Sequence, residues 1–324
     1  MPHWALGRLM DLAMDLAGMC RSTNPPVARK TIVTMAGDHG VAAEGVSAYP
    51  QEVTGQMVRN FVHGGAGINA LARLAGAEVV VVDMGVAADL NDLADAGKIV
   101  SKRIAPGTAN IAEGPAMTTE QAVAAVEAGI DVAEQLAPSV DVFGTGDMGI
   151  GNTTPSTAIA AAITQKPAAE LTGRGTGIDD AKLQNKIEIV ERILEVNQPD
   201  ASDGIDLVAK VGGFEIAGIA GVILGAAARR KPVVVDGFIS TAAALIAQLS
   251  APHAADYIIA AHRSMEPGHR AMQESLGKTP LLDLDLRLGE GTGAALAMNL
   301  VEAAVRVLTE VATFEEAHVA EAQQ

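Results

Sequence analysis

The segment Val142–Thr164, VFGTGDMGIGNTTPSTAIAAAIT, narrows the choice of fold more than any other stretch of the chain. The apolar run SVDVF ends at four closely spaced glycines, Gly144, Gly146, Gly149 and Gly151. Asn152, Thr153, Thr154 and Pro155 follow, and an alanine-rich stretch then reads as a helix. Strand, glycine turn and helix start, in that order, are how an α/β protein offers backbone N–H groups to an anion. Thr154 is expected to cap the helix, with Pro155 at its first position, where a missing N–H costs nothing. Glycines alone leave a ligand nest and a bare tight connection about equally open. Asp147 and the Thr153–Thr154 pair favour a ligand.

The same grammar recurs. Thr31–Met35 reads as a buried strand closed by Gly37, Asp38, His39 and Gly40; Glu78–Met84 ends at Asp83, and Lys231–Val235 at Asp236. Tyr257–Ala260 gives a further strand, with His262, Arg263 and Ser264 beyond it. Between these runs lie helical patterns at Thr54–Val62, onward to Leu74, at Thr119–Leu136, from Asp179, and at Ser240–Gln248. Nearly continuous apolar strands separated by helices predict a parallel α/β sheet covered on both faces. Asn91–Pro115 is polar and irregular, a loop or surface hairpin with a small basic cluster. The amphipathic first helix, Leu6–Met19, and the long apolar last one, Ala294–Val311, share a Leu/Ala character that lets them pair.

Charge limits the partners. A formal charge of -16 and a pI near 4.8 repel nucleic acid and anionic membrane, so a phosphorylated substrate needs local amides or a cation to hold it. Cys20 is the single cysteine, which rules out an intrachain disulfide and a Cys-based metal site. Ile216–Ala228, the most apolar stretch, is too short to span a bilayer, and the N-terminus lacks the pattern of a signal peptide; a cytoplasmic protein is expected.

Three turns combine glycine and threonine with a charged residue: Gly144–Thr154, Thr172–Gly177 around Arg174, and Gly289–Gly293 around Glu290. Amides and hydroxyls of this kind suit a phosphate and a ribose. Glu290, flanked by glycines, can approach a flat ligand and serve as a general base if burial raises its pKa; a helix-capping role is equally open. Lys186 lies four residues after Lys182 on one helical face, either reaching back to a phosphate or solvated. The histidines follow no metal-ligand spacing, so no metal or cofactor is expected. His39, after the first strand, reads more readily as a loop residue than as a catalyst. The Walker A pattern and a serine nucleophile elbow are missing from the chain, and no GxGxxG precedes Asp83 at the spacing of a dinucleotide fingerprint.

The blocks GDHGVAAEGVSAYPQEVTGQM, FGTGDMGIGNTTPSTA, TGRGTGIDDAKLQNK, VGGFEIAGIAG, VVVDGFIS, AHRSMEPGH and LRLGEGTGAALAM occur in this order over nearly the whole chain. Together they resemble the nicotinate-nucleotide:dimethylbenzimidazole phosphoribosyltransferase family. The resemblance implies a parallel, Rossmann-like three-layer domain over residues 28–295, with 1–27 and 296–324 forming a small helical domain, in a homodimer. It implies transfer of phosphoribosyl from nicotinate mononucleotide to 5,6-dimethylbenzimidazole, with nicotinate released and α-ribazole 5′-phosphate formed for the lower ligand of cobalamin. Glu290 takes the place of the family's general base, removing the benzimidazole N–H proton while the other ring nitrogen attacks C1′ with inversion. Asp147 stands where the family commonly has a glutamate, one methylene longer. Asn152, Thr153, Gly175, Thr176, Gly177, Lys186 and Gly213 would line the phosphoribosyl site, with Ser47, Tyr49, Gln51 and Gln56 on the aromatic-base side. Family members usually begin earlier, with a Pro-Gly-Ser-Leu-Gly-like stretch before the first helix; here Met1–Gly7 stands in that region, and Trp4 is expected to alter subunit packing. Transfer to another purine or phenolic base, a non-catalytic nucleotide-binding protein and, more remotely, a nicotinamide-dependent oxidoreductase are the competing readings.

Overall fold

The structure is a computed structural model describing residues 4–175 and 177–320. Helix α1 (Arg8–Cys20) leads to strand β1 (Lys30–Gly37); α2 (Val53–His63) and α3 (Gly67–Ala75) precede β2 (Ala77–Gly85), and the short α4 (Asn91–Asp95) precedes β3 (Val100–Ser101). Helix α5 (Thr119–Leu136) returns the chain to β4 (Val142–Met148). Then come α6 (Thr153–Thr164), α7 (Ala168–Leu171), α8 (Asp180–Asn197), α9 (Gly204–Val211) and α10 (Phe214–Ala228). The remainder is β5 (Val233–Val235), α11 (Phe238–Ser250), β6 (Ile258–Ala260), β7 (His262–Arg263), α12 (Gly268–Leu276), β8 (Leu282–Asp283) and α13 (Thr292–Glu310).

Six parallel strands form one sheet in the order β3-β2-β1-β4-β5-β6. The order reverses between β1 and β4, and in such sheets ligands bind in the crevice outside the carboxyl ends of the strands at this switch. Alternation along β1 serves two cores: Val33 and Met35 join the apolar cluster under α5, α6, α10 and α11, while Ile32 and Ala36 join the one under α1, α3 and α13. This is the three-layer α/β architecture that the periodicity predicts. The predicted pairing of first and last helices is also present: Leu12 and Leu16 of α1 lie in one cluster with Met298, Val301 and Val305 of α13. Helix α13 is long and apolar enough to cross a membrane by length and composition, but half of its most apolar window is buried inside the protein.

Small residues bring the layers close. A Cβ on Gly129 of α5 would strike the Gly218 carbonyl of α10, and one on Gly221 would strike that of Val126, so these helices touch backbone to backbone. A capping box closes the start of α5, with Thr118 Oγ1 accepting from Gln121 N at 3.2 Å and Gln121 Oε1 from Thr118 N at 3.0 Å.

Several expectations are corrected. Strand β4 does not stop at Gly144; it runs on to Met148, so Gly144 and Gly146 are strand residues and only Gly149 and Gly151 make the turn. A Cβ on Gly144 would crowd Met298, and one on Gly146 would collide with the Glu290 carbonyl, so these glycines admit the last helix and its leading turn onto the sheet. Helix α6 starts at Thr153, with Asn152 as N-cap and no side-chain capping bond, so Thr154 is not the cap. Pro155 falls at its third residue, still among the N–H groups that have no helical partner. Asn91–Pro115 is not a hairpin, because Val100 and Ser101 pair in parallel with Val82 and Asp83.

Candidate active site

A cleft of about 590 Å³ opens at the carboxyl edge of the sheet. One wall is the β4–α6 connection, with Asp147, Gly149, Gly151, Asn152 and Thr153; Gly175 and Gly177 form another. Ser47 and Tyr49 reach it from the loop before α2, and His262, Ser264, Glu266 and residues 285–289 close the opposite side. Of the residues expected at the site, the structure gathers Asp147, Asn152, Thr153, Gly175, Gly177, Ser47 and Tyr49. Gln51 and Gln56 are not among the walls, Gln56 being exposed on α2. Thr176 lies outside the described residues.

Lys186 stands directly behind Thr153. Its position on a charged helix is compatible with solvation, yet the side chain is completely buried, and its Nζ donates to Thr153 Oγ1 at 2.8 Å and to the Gly173 carbonyl at 3.2 Å. Burial lowers its pKa to about 8, opposed by the charge of Glu266. A cation, a hydroxyl and the glycine turn thus converge at the start of α6, where the helix dipole also favours an anion. Arg174 is engaged elsewhere, donating to the Ile178 carbonyl at 3.0 Å and to Asp180.

Carboxylates crowd the floor between the β4–α6 turn and the one around Glu290. Asp147 is buried, and its Oδ2 accepts from Asn152 Nδ2 at 3.0 Å while Oδ1 has no hydrogen-bond partner. Burial pushes the Asp147 carboxyl well above the usual range, helped by the charges of Asp236, Glu215 and Glu290 and opposed by the Asn152 bond. Asp236, at the end of β5, accepts from Gly291 N at 3.1 Å and Ala294 N at 2.9 Å, holding the first turn of α13. Its carboxyl is raised by burial and pulled back by His262 and these amides.

Glu290 sits at the junction of the cleft and α3. Its neighbours Leu288 and Gly289 line the cleft, whereas its own carboxylate turns towards α3, where Oε2 accepts from Ile68 N at 3.0 Å. Its backbone is left-handed, with φ at 63°, and its carbonyl accepts from Thr34 Oγ1 at 3.1 Å. Burial raises its pKa, the bond from Ile68 N pulls it down and the charge of Asp236 raises it further. Glu290 does not cap its own helix, whose N-cap is Gly291: its backbone is fastened to the sheet and its carboxylate rests on the start of α3.

Gly213 is not a cleft wall. It caps α10 beside a buried pair formed by His39 Nε2 and Glu215 Oε1 at 2.6 Å, and a Cβ there would collide with the His39 ring. Burial alone would lower the His39 pKa, but the charge of Glu215 and its hydrogen bond raise it overall. His39 is thus a buried partner of Glu215 beneath the cleft floor. Neither Glu215 nor Glu266 is marked out by sequence reasoning. A lone acid at the start of the apolar run FEIAGIAG is the available signal for the first; for the second it is only the block AHRSMEPGH.

A Rossmann-ordered sheet whose switch point carries a glycine-lined cleft, a buried lysine and buried acids is the framework of a nucleotide-handling α/β enzyme. The family described as phosphoribosyltransferase, DBI_PRT, matches residues 1–319, and the chain belongs to this family. It is 66% identical over 321 residues to the nicotinate-nucleotide--dimethylbenzimidazole phosphoribosyltransferase of Syntrophotalea carbinolica, covering 99% of this chain and 91% of that one. The like-named protein of Desulfotalea psychrophila is 62% identical over 98% of this chain and 89% of its own length. Among solved structures, CobT from Thermus thermophilus superposes with a TM-score of 0.94 at 46% identity, covering 99% of this chain and 96% of that one.

Proposed function

We propose that this chain transfers phosphoribosyl from nicotinate mononucleotide to 5,6-dimethylbenzimidazole, releasing nicotinate and forming α-ribazole 5′-phosphate. The observation that carries the reading is the meeting, in a chain matched by this family along nearly its whole length, of an anion-binding wall and the Glu290 turn at one cleft. The phosphate takes amides of the Gly175 turn, with Lys186 and Thr153 behind it. Asn152 and Asp147 face the ribose. The flat acceptor rests on Tyr49 and Leu288, next to Glu290, with Ser47 at the rim.

Glu290, its pKa raised by burial, removes the ring N–H proton. The other ring nitrogen forms its bond to C1′ as the bond to nicotinate breaks, and that bond's electron pair returns to the pyridinium nitrogen, neutralising it. Attack from the face opposite nicotinate inverts β to α. Gln51, Gln56 and Gly213 act in this reading as supports outside the cleft walls.

We take residues 1–27 with 296–324 as a small helical unit on the 28–295 domain, supported by the packing of α1 on α13. A cytoplasmic homodimer fits the acidic composition and the exposed apolar side chains Tyr49, Met265, Leu284 and Leu288, the first and last of which line the cleft. Incubating the protein with nicotinate mononucleotide and a panel of benzimidazole, purine and phenolic bases tests the chemistry. Nicotinate release matched by an α-linked product on dimethylbenzimidazole is expected. Release without an acceptor-linked product would replace transfer by hydrolysis, and a purine or phenol outcompeting dimethylbenzimidazole would change the acceptor. Sedimentation velocity tests the dimer.

A further inference from the structure

Glu266 stands where a phosphate-binding site should not tolerate it. Its Oε1 accepts from Gly175 N at 3.0 Å, so a carboxylate already occupies an amide of the anion-binding turn. Only 8% of the residue is exposed, its Oε2 has no hydrogen-bond partner, and a Cβ on Gly173 would collide with that oxygen. The Gly173 carbonyl in turn accepts from Lys186 Nζ, and a Cβ on Gly175 would lie 3.0 Å from Thr153 Oγ1 and 3.4 Å from Lys186 Nζ. Glu266, the Gly175 amide, Lys186 and Thr153 therefore share one small volume, in which the electric field of Glu266 reaches the lysine.

A dianionic phosphate bonded to Gly175 N beside Lys186 would face the Glu266 carboxylate across the same amide, with a single buried cation to neutralise both. Two anions cannot share one buried donor set without a large repulsion. We propose that Glu266 is an internal competitor that sets the affinity of the phosphate position: an anion that fills that position in the empty cleft and yields it only to a ligand that binds the turn more strongly than a carboxylate does. It balances Lys186 while the site waits and keeps the Gly175 amide from being an orphan donor. It also raises the threshold for weak anions such as inorganic phosphate. Its partnerless Oε2 fits a group held for exchange better than one locked in a finished network. The inference rests on the reading of Lys186 and Gly175 as the phosphate site.

The test is calorimetric titration of the full chain with inorganic phosphate, nicotinate mononucleotide and the phosphate-free nicotinate riboside. Glu266→Gln keeps an oxygen acceptor for Gly175 N but removes the competing charge. It is expected to tighten phosphate and mononucleotide binding tenfold or more and to leave the riboside unchanged. Unchanged or weaker phosphate binding in Glu266→Gln overturns the proposal, as does weakening confined to the riboside, which would make Glu266 a ribose ligand instead. Lys186→Met separates the two failures: if it leaves phosphate binding intact, the phosphate site itself is misplaced. If it abolishes binding while Glu266→Gln tightens nothing, only the role of Glu266 falls. Should Glu266→Gln fail to fold, the wild-type protein still decides the matter by NMR. Phosphate must move the Gly175 amide and the Glu266 carboxyl carbon together, and a stationary Glu266 signal refutes the exchange.

Discussion

The turn at Gly149–Gly151 and the turn at Gly289–Gly291 face the same cleft and treat charge in opposite ways. The first leads into α6, where Thr153 meets the ammonium of Lys186. The second holds Glu290 within reach of the fields of Asp236 and Asp147, where burial works against ionisation. One side is built to accept negative charge and the other to make negative charge reluctant. A nucleotide donor and a proton-bearing acceptor call for this division, because an anion must be held on one side and a proton taken on the other.

Glu290→Gln should have the largest effect on this division, lowering kcat by roughly 10²–10⁴-fold, the usual contribution of a positioned general base. Equal turnover of the two proteins in single-turnover assays would move the base elsewhere. In the wild type, activity should fall as pH drops through the raised Glu290 pKa, because only the ionised carboxylate takes the proton; the acid limb of the kcat profile therefore lies above the ordinary carboxylate range.

Gly146→Ala attacks the frame that keeps the two turns apart. Its Cβ would meet the Glu290 carbonyl, so denaturant unfolding should show a loss of about 1–3 kcal/mol. Turnover should drop as the turn is pushed off the sheet.

Asp147→Asn probes the reluctant side through stability. A carboxyl whose folded pKa is raised contributes stability that is fully present below the unfolded pKa and lost as pH rises through the folded one. The Asn variant should therefore melt higher than wild type at pH 8 and close to it at pH 4, and thermal scans at both values would show it. The smallest effect belongs to a control far from the cleft. Thr118→Ala removes the α5 cap and should cost about 1 kcal/mol in chemical denaturation with kcat unchanged.

Much of the frame is legible because parallel strands and their flanking helices write distinct periodicities. The acids at strand ends, Asp83, Asp236 and the Asp38–His39 pair, fall where the apolar runs predict. What resists reading is burial specified by distant neighbours. A glycine that opens a turn and one that admits a helix onto a strand are the same letter, which is why Gly144 and Gly146 read as turn residues. Lys186 has the spacing of a surface lysine, and only the packing of α8 on α6 makes it a buried cation. Glu266 lies in the short connection between β7 and α12, outside the period of either element, so the segment that delivers it to the cleft leaves no pattern to read.

The bare surface of β4 has a further consequence, for chain length. With no side chains on Gly144 and Gly146, the sheet offers a trough rather than a ridge, and the first turns of α13 lie in it. Three fastenings fix their register: Thr34 to the Glu290 carbonyl, and Asp236 to the amides of Gly291 and Ala294. One residue added or removed between Gly289 and Ala294 would break the spacing of these fastenings and turn the Glu290 carboxylate away from Ile68 N. The same change between Lys278 and Leu281, ahead of β8 and of the cleft-lining residues 285–289, leaves that register untouched. Length variation compatible with activity is thereby confined to the approach to the turn and excluded from the turn itself.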